Sequence, residues 1–201
     1  MILASHSPRR IELMRELGLE ARTVSPDVDE SRLPGEGPQA LVQRLAEAKA
    51  KSVLARGAAT GGEAVVAADT VVALGDEVLG KPADDEDAAR MLRMLSGRTH
   101  EVSTGVCVMV ADEADGRHAA RMRNFCETTR VAFYPLEDDE IAAYVATGEP
   151  KDKAGAYGIQ GEGRLLVRGI EGDYLTVVGL PVARLWRELR EMGIVGLVPS
   201  R

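Results

Sequence analysis

The segment that most constrains the fold of this chain is a run that is apolar almost throughout. Ala64–Leu74 reads AVVAADTVVAL, and only Asp69 and Thr70 interrupt its small and branched apolar side chains. Strands of this kind are buried on both faces of a sheet, with helices covering each side. The segment therefore predicts a central strand of an α/β protein, and it places a carboxylate within that strand.

The segments around this strand alternate between helical and extended patterns of apolar residues. Pro8 after Ser7 is typical of the first turn of a helix, which Gly18 would end. Residues 100–111 and 119–133 resemble two long strands joined by a polar turn, so we expect a mixed sheet. Further helices are predicted at 38–56, 84–95, 137–146 and 181–192, and further strands at 1–4, 165–167 and 174–178.

The length of the chain suits one large domain or two small lobes that share a cleft. The sequence has 201 residues and contains neither an internal repeat nor a low-complexity linker. We therefore expect a single domain over residues 1–201.

The charge balance argues against broad nucleic-acid binding, which depends on a basic surface and counterion release. The chain carries 25 basic and 32 acidic residues, for a net charge of -7. Aromatic residues make up only 3% of the chain, which leaves little material for stacking bases. A small phosphate ligand stays compatible with this composition, because it needs only a local cluster of donors.

The N-terminus and the cysteines indicate a cytoplasmic protein. Arg9 and Arg10 follow the start too soon for the apolar stretch of a signal peptide. No apolar run approaches the roughly 20 residues that span a bilayer. Cys107 and Cys126 are isolated and lack metal-ligand spacing, so we interpret them as reduced packing residues.

The first candidate site is the SHSPRR segment at residues 5–10. The hydroxyls of Ser5 and Ser7, the positive end of the predicted helix and the guanidinium groups of Arg9 and Arg10 meet here. Helix N-termini bind anions, and arginine grips a phosphate with paired hydrogen bonds. The alternative is an ordinary capped helix with two solvated arginines, and these residues by themselves favour neither.

The second candidate is the acidic pair Asp69 and Glu30. An ionised carboxylate within an apolar strand is costly unless it is paired, hydrogen-bonded or bound to a metal. Glu30 would supply a second carboxylate if the fold brings it close, which the sequence does not decide. A structural aspartate that caps a neighbouring loop is the alternative interpretation of Asp69.

Three lysines beside turns or on a helix, and one glycine-rich loop, complete the candidates. Lys49, Lys81 and Lys153 are individually typical of solvated surface lysines, but a triphosphate needs several cations around it. The loop over residues 148–161 is rich in glycine, which permits close backbone approach to a ligand. Gln160 within it can read a base edge with one donor and one acceptor. A mobile surface loop is the alternative.

Taken together, these motifs resemble the Maf family of nucleoside triphosphate pyrophosphatases nearly from end to end, in the same order. The segments that carry the resemblance are SHSPRR at 5–10, Asp29-Glu30, Lys49-Ala50, Ala68-Asp69-Thr70-Val71-Val72, Gly80-Lys81-Pro82, Ser96-Gly97-Arg98-Thr99-His100, Thr104-Gly105-Val106, the 148–161 loop and Val178-Gly179-Leu180-Pro181.

The resemblance implies an α/β fold of the Maf and inosine-triphosphatase type, an elongated mixed sheet flanked by helices, with two lobes around a deep cleft. It also implies Mg²⁺ or Mn²⁺, a metal-activated water that cuts the α–β phosphate bond, and a homodimer. By residue match, Asp69 is the proton acceptor and Glu30 and Asp69 hold the metal. Arg9, Arg10, Lys49 and Lys81, with Ser5 and Ser7, would bind the triphosphate.

The family has one branch for dTTP and UTP and another for nucleotides such as 7-methyl-GTP. Arg9, Thr70 and Gln160 match the dTTP/UTP branch and are its expected specificity residues. A nucleotide-binding regulator of cell division without turnover is the alternative from another class. A kinase or NTPase that cuts at the γ-phosphate fits worse, because the chain has no GxxxxGK[ST] motif.

Overall fold

The computed structural model describes residues 1–114 and 116–197. The strands are β1 Ile2–Ala4, β2 Arg22–Thr23, β3 Ala64–Leu74, β4 Glu77–Leu79, β5 Thr99–Ala111, β6 Ala119–Phe133 and β7 Val167–Glu171. The α-helices are α1 Pro8–Glu16, α2 Pro38–Ala55, α3 Asp85–Leu95, α4 Asp138–Ala146, α5 Tyr174–Val178 and α6 Val182–Glu191. Short 3₁₀ helices occupy Glu149–Asp152, Ala154–Ala156 and Glu162–Leu166.

In this part of the chain the strands form one mixed sheet, which confirms the predicted fold class. The strand order is β2-β1-β3-β5-β6-β7, and β4 pairs with β3 off that path. β1 lies parallel to both β2 and β3, whereas β3–β4 and β6–β7 are antiparallel. The parallel pairing of β3 with β1 explains why β3 is apolar apart from Asp69 and Thr70. Strands in the parallel part of such a sheet are buried on both faces by neighbouring strands and helices.

The chain divides into two compact units. The first contains residues 1–69, 104–126 and the chain from 179 onward, and the second contains residues 70–103 and 127–178. Three of the four boundaries fall within β3, β5 and β6, so these strands supply residues to both units, and the fourth lies between α5 and α6.

The core of the first unit lies between α2 and strands β1, β3 and β5. Small side chains let this helix approach the sheet closely, and a Cβ at Gly105 of β5 would overlap the α2 backbone at Val42. The fully buried members of this core are Ile2, Ala4, Ala46, Ala50, Val53, Val65, Ala67, Cys107 and Ala111. The close approach fixes α2 against the sheet at β5, and so fixes any side chain on the buried face of the helix.

The second unit has its own aromatic core. The rings of His100, Phe133 and Tyr157 pack edge to face with centroids 4.8–5.4 Å apart. His100 Nε2 lies 2.9 Å from the Tyr157 hydroxyl, and both side chains are buried. Tyr157 belongs to the glycine-rich loop, so this core holds the middle of that loop in place.

Two predicted strands near the C-terminus were wrong. Tyr174–Val178 is helix α5, because Asp173 caps it by accepting from the Thr176 N–H at 2.7 Å and from its hydroxyl at 2.9 Å. That cap overrides the strand preference of a β-branched run. The strand expected at 165–167 begins only at its last residue, as β7, whose exposed side chains give no alternating pattern.

Most other boundaries were confirmed, including β3 and β6 in full. Neither Cys107 nor Cys126 forms a disulfide in the part of the chain that the structure describes. None of the helices within residues 1–114 and 116–197 combines the length and apolar content that a membrane span requires.

Candidate active site

Asp69 lies within β3 and is only 8% exposed. Its Oδ1 accepts a hydrogen bond from the ammonium of Lys49 at 2.6 Å. Lys49 projects from the buried face of α2 and is itself 7% exposed. The Lys49 ammonium therefore offsets the free-energy cost of burying the Asp69 carboxylate within an apolar strand.

Glu30 reaches the same ammonium from the loop that precedes α2. Its Oε1 lies 2.7 Å from Lys49 Nζ, and its side chain is exposed. The structure therefore brings together Glu30 and Asp69, the two carboxylates predicted to hold a metal, around a single cation. The sequence left their proximity open because 38 positions of loop, helix and strand separate them.

The contact between Lys49 and both carboxylates was not predicted, since we assigned Lys49 to phosphate alone. A signal for it was present. Lys49 falls at helical spacing from Val42, Leu45, Ala46 and Val53, which form the apolar face of α2. A lysine on such a face is buried, and a buried lysine needs an acidic partner nearby.

Arg10 adds a second cation to this site. Its Nε donates to the Gly179 carbonyl at 2.8 Å, which ties α1 to the turn before α6. Burial lowers the pKa of the Arg10 guanidinium, the negative charges of Asp69 and Glu30 raise it, and the positive charge of Arg9 lowers it. Arg10 therefore lies in the electrostatic field of both carboxylates and of its neighbour.

The segment before α1 forms the turn that the sequence predicted at a helix start. Ser7 stands at the N-cap and Pro8 opens the helix, as expected. The Ser7 N–H donates to Ser5 Oγ at 3.1 Å, and Ser5 is buried. Within the described residues the Ser7 hydroxyl makes no capping bond to α1, which leaves the capping interpretation without its usual contact.

The remaining candidates belong to the second unit. Thr70 follows Asp69 in β3 and is half-buried, while Lys81 after β4 and Gln160 in the glycine-rich loop are exposed. Lys153 has a structural role, because it donates to the Glu149 carbonyl at 2.7 Å and to the Asp152 carboxylate at 2.6 Å. The roles predicted for Lys81, Thr70 and Gln160 stay predictions.

The donor set of the first unit fits a small hard cation. Magnesium typically binds one or two protein carboxylates and completes its shell with water and substrate phosphates. Glu30 and Asp69 supply two carboxylates around one point that a cation, the Lys49 ammonium, already contacts. Among residues 1–114 and 116–197 there is no cluster of three or more His, Cys, Asp or Glu suited to a metal. Two carboxylates are the number that a magnesium ion shared with a substrate typically takes from a protein.

Comparisons with known proteins agree with the motifs. A family model described as Maf-like protein matches residues 1–192. The dTTP/UTP pyrophosphatase of Koribacter versatilis is 49% identical over 97% of this chain and 95% of the relative. The dTTP/UTP pyrophosphatase of Anaeromyxobacter dehalogenans is 51% identical over 96% and 94%, respectively. Among solved structures, a HAM1 protein from Coxiella burnetii matches with a TM-score of 0.48 and 18% identity, over 94% of this chain and 98% of that one.

Proposed function

This chain belongs to the Maf-like protein family, and from that premise we propose that it hydrolyses dTTP and UTP to the monophosphate and pyrophosphate. The observation that carries the proposal is the convergence of Glu30 and Asp69 on the Lys49 ammonium, in the field of Arg10. The relatives' names supply the substrate class, since each is a dTTP/UTP pyrophosphatase. Paired carboxylates beside cations suit phosphoryl chemistry, in which positioning and charge neutralisation dominate.

Asp69 is the proton acceptor in this proposal. The oxygen of a water molecule forms a bond to the α-phosphorus, and the bond between the α-phosphorus and the bridging oxygen breaks, so that this oxygen leaves with pyrophosphate. The proton of that water passes to the Asp69 carboxylate. Burial in β3 holds this carboxylate in one place, and general bases act only within hydrogen-bond reach of the proton they take.

Lys49 and Arg10 supply positive charge. A lysine ammonium has three donors. Glu30 and Asp69 account for two of those on Lys49, and we assign the third to a phosphate oxygen. The bond from Arg10 Nε to Gly179 orients that guanidinium. Its charge then offsets the negative charge of the triphosphate without further reorganisation.

We propose that Glu30 and Asp69 hold a divalent cation, Mg²⁺ or Mn²⁺. When bound, such an ion lowers the pKa of a coordinated water and offsets negative charge on phosphate oxygens. Glu30 is exposed, so its side chain can turn from the Lys49 ammonium toward an ion without repacking the core.

The other proposed roles concern binding and choice of base. Arg9 and Lys81 bind phosphate, and Ser5 and Ser7 contribute hydroxyls at the start of α1. Arg9, Thr70 and Gln160 determine specificity, as the resemblance implies. The Gln160 amide offers one donor and one acceptor, which match the O4 and N3–H of uracil and thymine.

We also propose that the enzyme acts in the cytoplasm, on free nucleotides rather than nucleic acid, and as a homodimer. The acidic net charge of -7 supports the preference for small ligands. Removal of triphosphates would restrain nucleic-acid synthesis or clear unwanted nucleotides from the pool.

Product analysis with Mg²⁺ or Mn²⁺ over a panel of canonical and modified triphosphates tests the proposal. We expect UMP and pyrophosphate from UTP, dTMP and pyrophosphate from dTTP, and slower turnover of CTP. Orthophosphate with a diphosphate would instead indicate cleavage at the γ-phosphate. Binding without turnover would favour a nucleotide-dependent regulator, and preferential turnover of 7-methyl-GTP would move the chain to the other branch.

A further inference from the structure

We propose that Glu149, with Tyr144, is a positioning residue that fixes the segment carrying Gln160 and so sets the base preference of the enzyme. This inference rests on the proposed function, and specifically on Gln160 as the residue that reads the base. Glu149 opens the glycine-rich loop and Tyr144 lies on α4, both in the second unit.

The Glu149 carboxylate accepts three hydrogen bonds, one from helix α4 and two from the 3₁₀ helix Glu162–Leu166. Oε2 accepts from the Glu162 N–H at 2.8 Å. Oε1 accepts from the Tyr144 hydroxyl at 2.9 Å and from the Gly163 N–H at 3.3 Å. Burial raises the pKa of Glu149, but these donors and the nearby Lys153 charge outweigh that effect and lower it overall. The carboxylate therefore stays ionised and joins the start of the loop to its end.

The Tyr144 hydroxyl ties the middle of the loop to the same centre. It donates to Glu149 and accepts from the Gly158 N–H at 3.0 Å. Tyr144 is 5% exposed, so α4 holds its ring firmly. Gln160 thus lies between two backbone positions, Gly158 and Glu162, that are both bonded to the Tyr144–Glu149 pair.

The glycines of this loop are required by its packing around Glu149. A Cβ at Gly158 would lie 2.6 Å from Lys153 Cε and 2.9 Å from Glu149 Oε1. At Gly163 it would lie 2.7 Å from the Tyr144 hydroxyl, and at Gly161 it would overlap the Glu149 carboxylate. The space that these glycines leave is therefore filled by the Glu149 carboxylate. A mobile surface loop does not fit this packing.

This arrangement leaves Gln160 exposed on a fixed backbone. Ile159 before it is 8% exposed and anchors in the core, while Gly161 after it packs on Glu149. If the backbone at Gln160 changed conformation freely, the side-chain amide could flip and bind cytosine, which presents the opposite order of donor and acceptor. Preorganisation reduces the entropy lost on binding and raises the cost of mispairing the wrong base. Glu149 therefore contributes to selectivity without touching the base.

The test measures kcat/KM for UTP, dTTP and CTP in the wild type, Glu149→Gln, Tyr144→Phe and Gln160→Ala. The matched control is Glu162→Gln, which makes the same chemical change at an exposed side chain. Glu162 donates its backbone N–H to Glu149, and its carboxylate acts on Tyr144 through space rather than through a hydrogen bond. Glutamine at 149 keeps the size but places an N–H₂ against N–H donors. We expect the UTP-to-CTP ratio to fall about tenfold in Glu149→Gln and less in Tyr144→Phe. It stays unchanged in the control.

A structural role alone would lower kcat for every nucleotide equally, so the ratio is the deciding readout. We expect the double variant Glu149→Gln/Gln160→Ala to lose no more preference than Gln160→Ala, because both changes act through the same amide. If Glu149→Gln does not fold, Tyr144→Phe removes one hydroxyl and serves the same test.

The outcomes separate this inference from the proposed function. A wild type that prefers UTP over CTP, with the same ratio in Glu149→Gln and Tyr144→Phe, overturns the positioning role and leaves the pyrophosphatase intact. A wild type that does not distinguish pyrimidine triphosphates overturns the assigned specificity and this inference with it.

Discussion

Asp69 in the first unit and Glu149 in the second are both shielded carboxylates, yet their partners differ in kind. Asp69 is neutralised by Lys49, a compact ammonium on a flexible stem, which it shares with Glu30. Glu149 accepts from two backbone N–H groups and a buried tyrosine hydroxyl. The first carboxylate can exchange its partner while the backbone stays in place, whereas the second cannot. The difference separates a group available to chemistry from a group that holds structure.

The two carboxylates also differ in the number of charged groups around them. Arg10, Lys49 and Glu30 bring full charges to Asp69. Near Glu149 lies one cation, Lys153, and the glycine-rich loop rests on the neutral core of His100, Phe133 and Tyr157. Burial lowers the pKa of His100 from 6.5 to about 4, so this ring is uncharged in the folded protein at neutral pH.

The largest effect is expected for Asp69→Asn. Asparagine keeps the size of the side chain but accepts no proton, so we expect kcat to fall by roughly 10²-fold or more. Steady-state pyrophosphate release with saturating metal measures it. Asp29→Asn is the control, since Asp29 beside Glu30 accepts from the Ser31 N–H at 2.9 Å and from the Ser31 side chain, and the carbonyl of asparagine can accept both. Near wild-type activity in Asp69→Asn would exclude Asp69 as the base.

The second prediction concerns pH and the neutral core. His100 binds a proton at pH 6.5 when unfolded but only near pH 4 when folded, so the unfolded state holds more protons between these values. Stability is complete above about pH 6.5 and falls as the pH drops toward 4, by about 3 kcal/mol from this residue. Denaturant unfolding across that window measures the loss.

The variant His100→Gln removes this titration, so its stability should depend less steeply on pH between 6.5 and 4. Proton NMR of the three histidines, His6, His100 and His118, gives an independent readout. Parallel stability curves for the variant and the wild type, or a His100 ring that protonates near pH 6.5 in the folded protein, would contradict the prediction.

The third prediction tests whether the partner of Asp69 can be exchanged. Lys49→Met removes the ammonium and leaves two carboxylates together, which should cost about 1–3 kcal/mol without metal. Added Mn²⁺ should then raise the Tm more in Lys49→Met than in the wild type, because the ion no longer competes with the lysine. Lys51→Met, on the same helix but exposed and paired with Glu47, is the matched control. An equal rise in Tm for all three proteins would argue against a metal at these carboxylates.

The smallest effect on the fold is expected for the peripheral phosphate ligands. Lys81→Ala and Arg9→Ala should raise KM about tenfold, the typical loss of one charge-assisted hydrogen bond. For the exposed Lys81 the free energy of unfolding should change by only about 0.5 kcal/mol. Lys151→Ala, an exposed lysine beside Asp85 in the same unit, is the control. Unchanged kinetics in both variants would favour ordinary surface residues.

The sequence predicts the fold well where local signals and burial agree. β3 and β6 are long, and the glycines and polar turns that bound them match the observed ends. Tyr174–Val178 was misassigned because its β-branched side chains favour a strand, while the capping bond from Asp173 favours a helix. That competition is decided by local hydrogen bonds from Thr176 to Asp173, which periodicity does not reveal.

The candidate site could be predicted as a set of residues but not as a set of contacts. Asp69 stands out because a carboxylate in an apolar strand demands a partner. The identity of that partner depends on how α2 packs against the sheet. One close approach that sets this packing is that of Gly105 in β5 to the Val42 backbone in α2. Glu149 was missed for a different reason. The glycines around it were interpreted as room for a ligand, and only the folded loop reveals the carboxylate that fills the space.

Hydrolysis of UTP in ¹⁸O-labelled water tests most directly whether the carboxylate pair directs water to the α-phosphorus. Mass spectrometry of the products after a single turnover locates the new oxygen. The account predicts one ¹⁸O atom in UMP and none in pyrophosphate. Label in pyrophosphate would mean attack at the β-phosphorus, and label in orthophosphate released with UDP would mean attack at the γ-phosphorus; either result would contradict it.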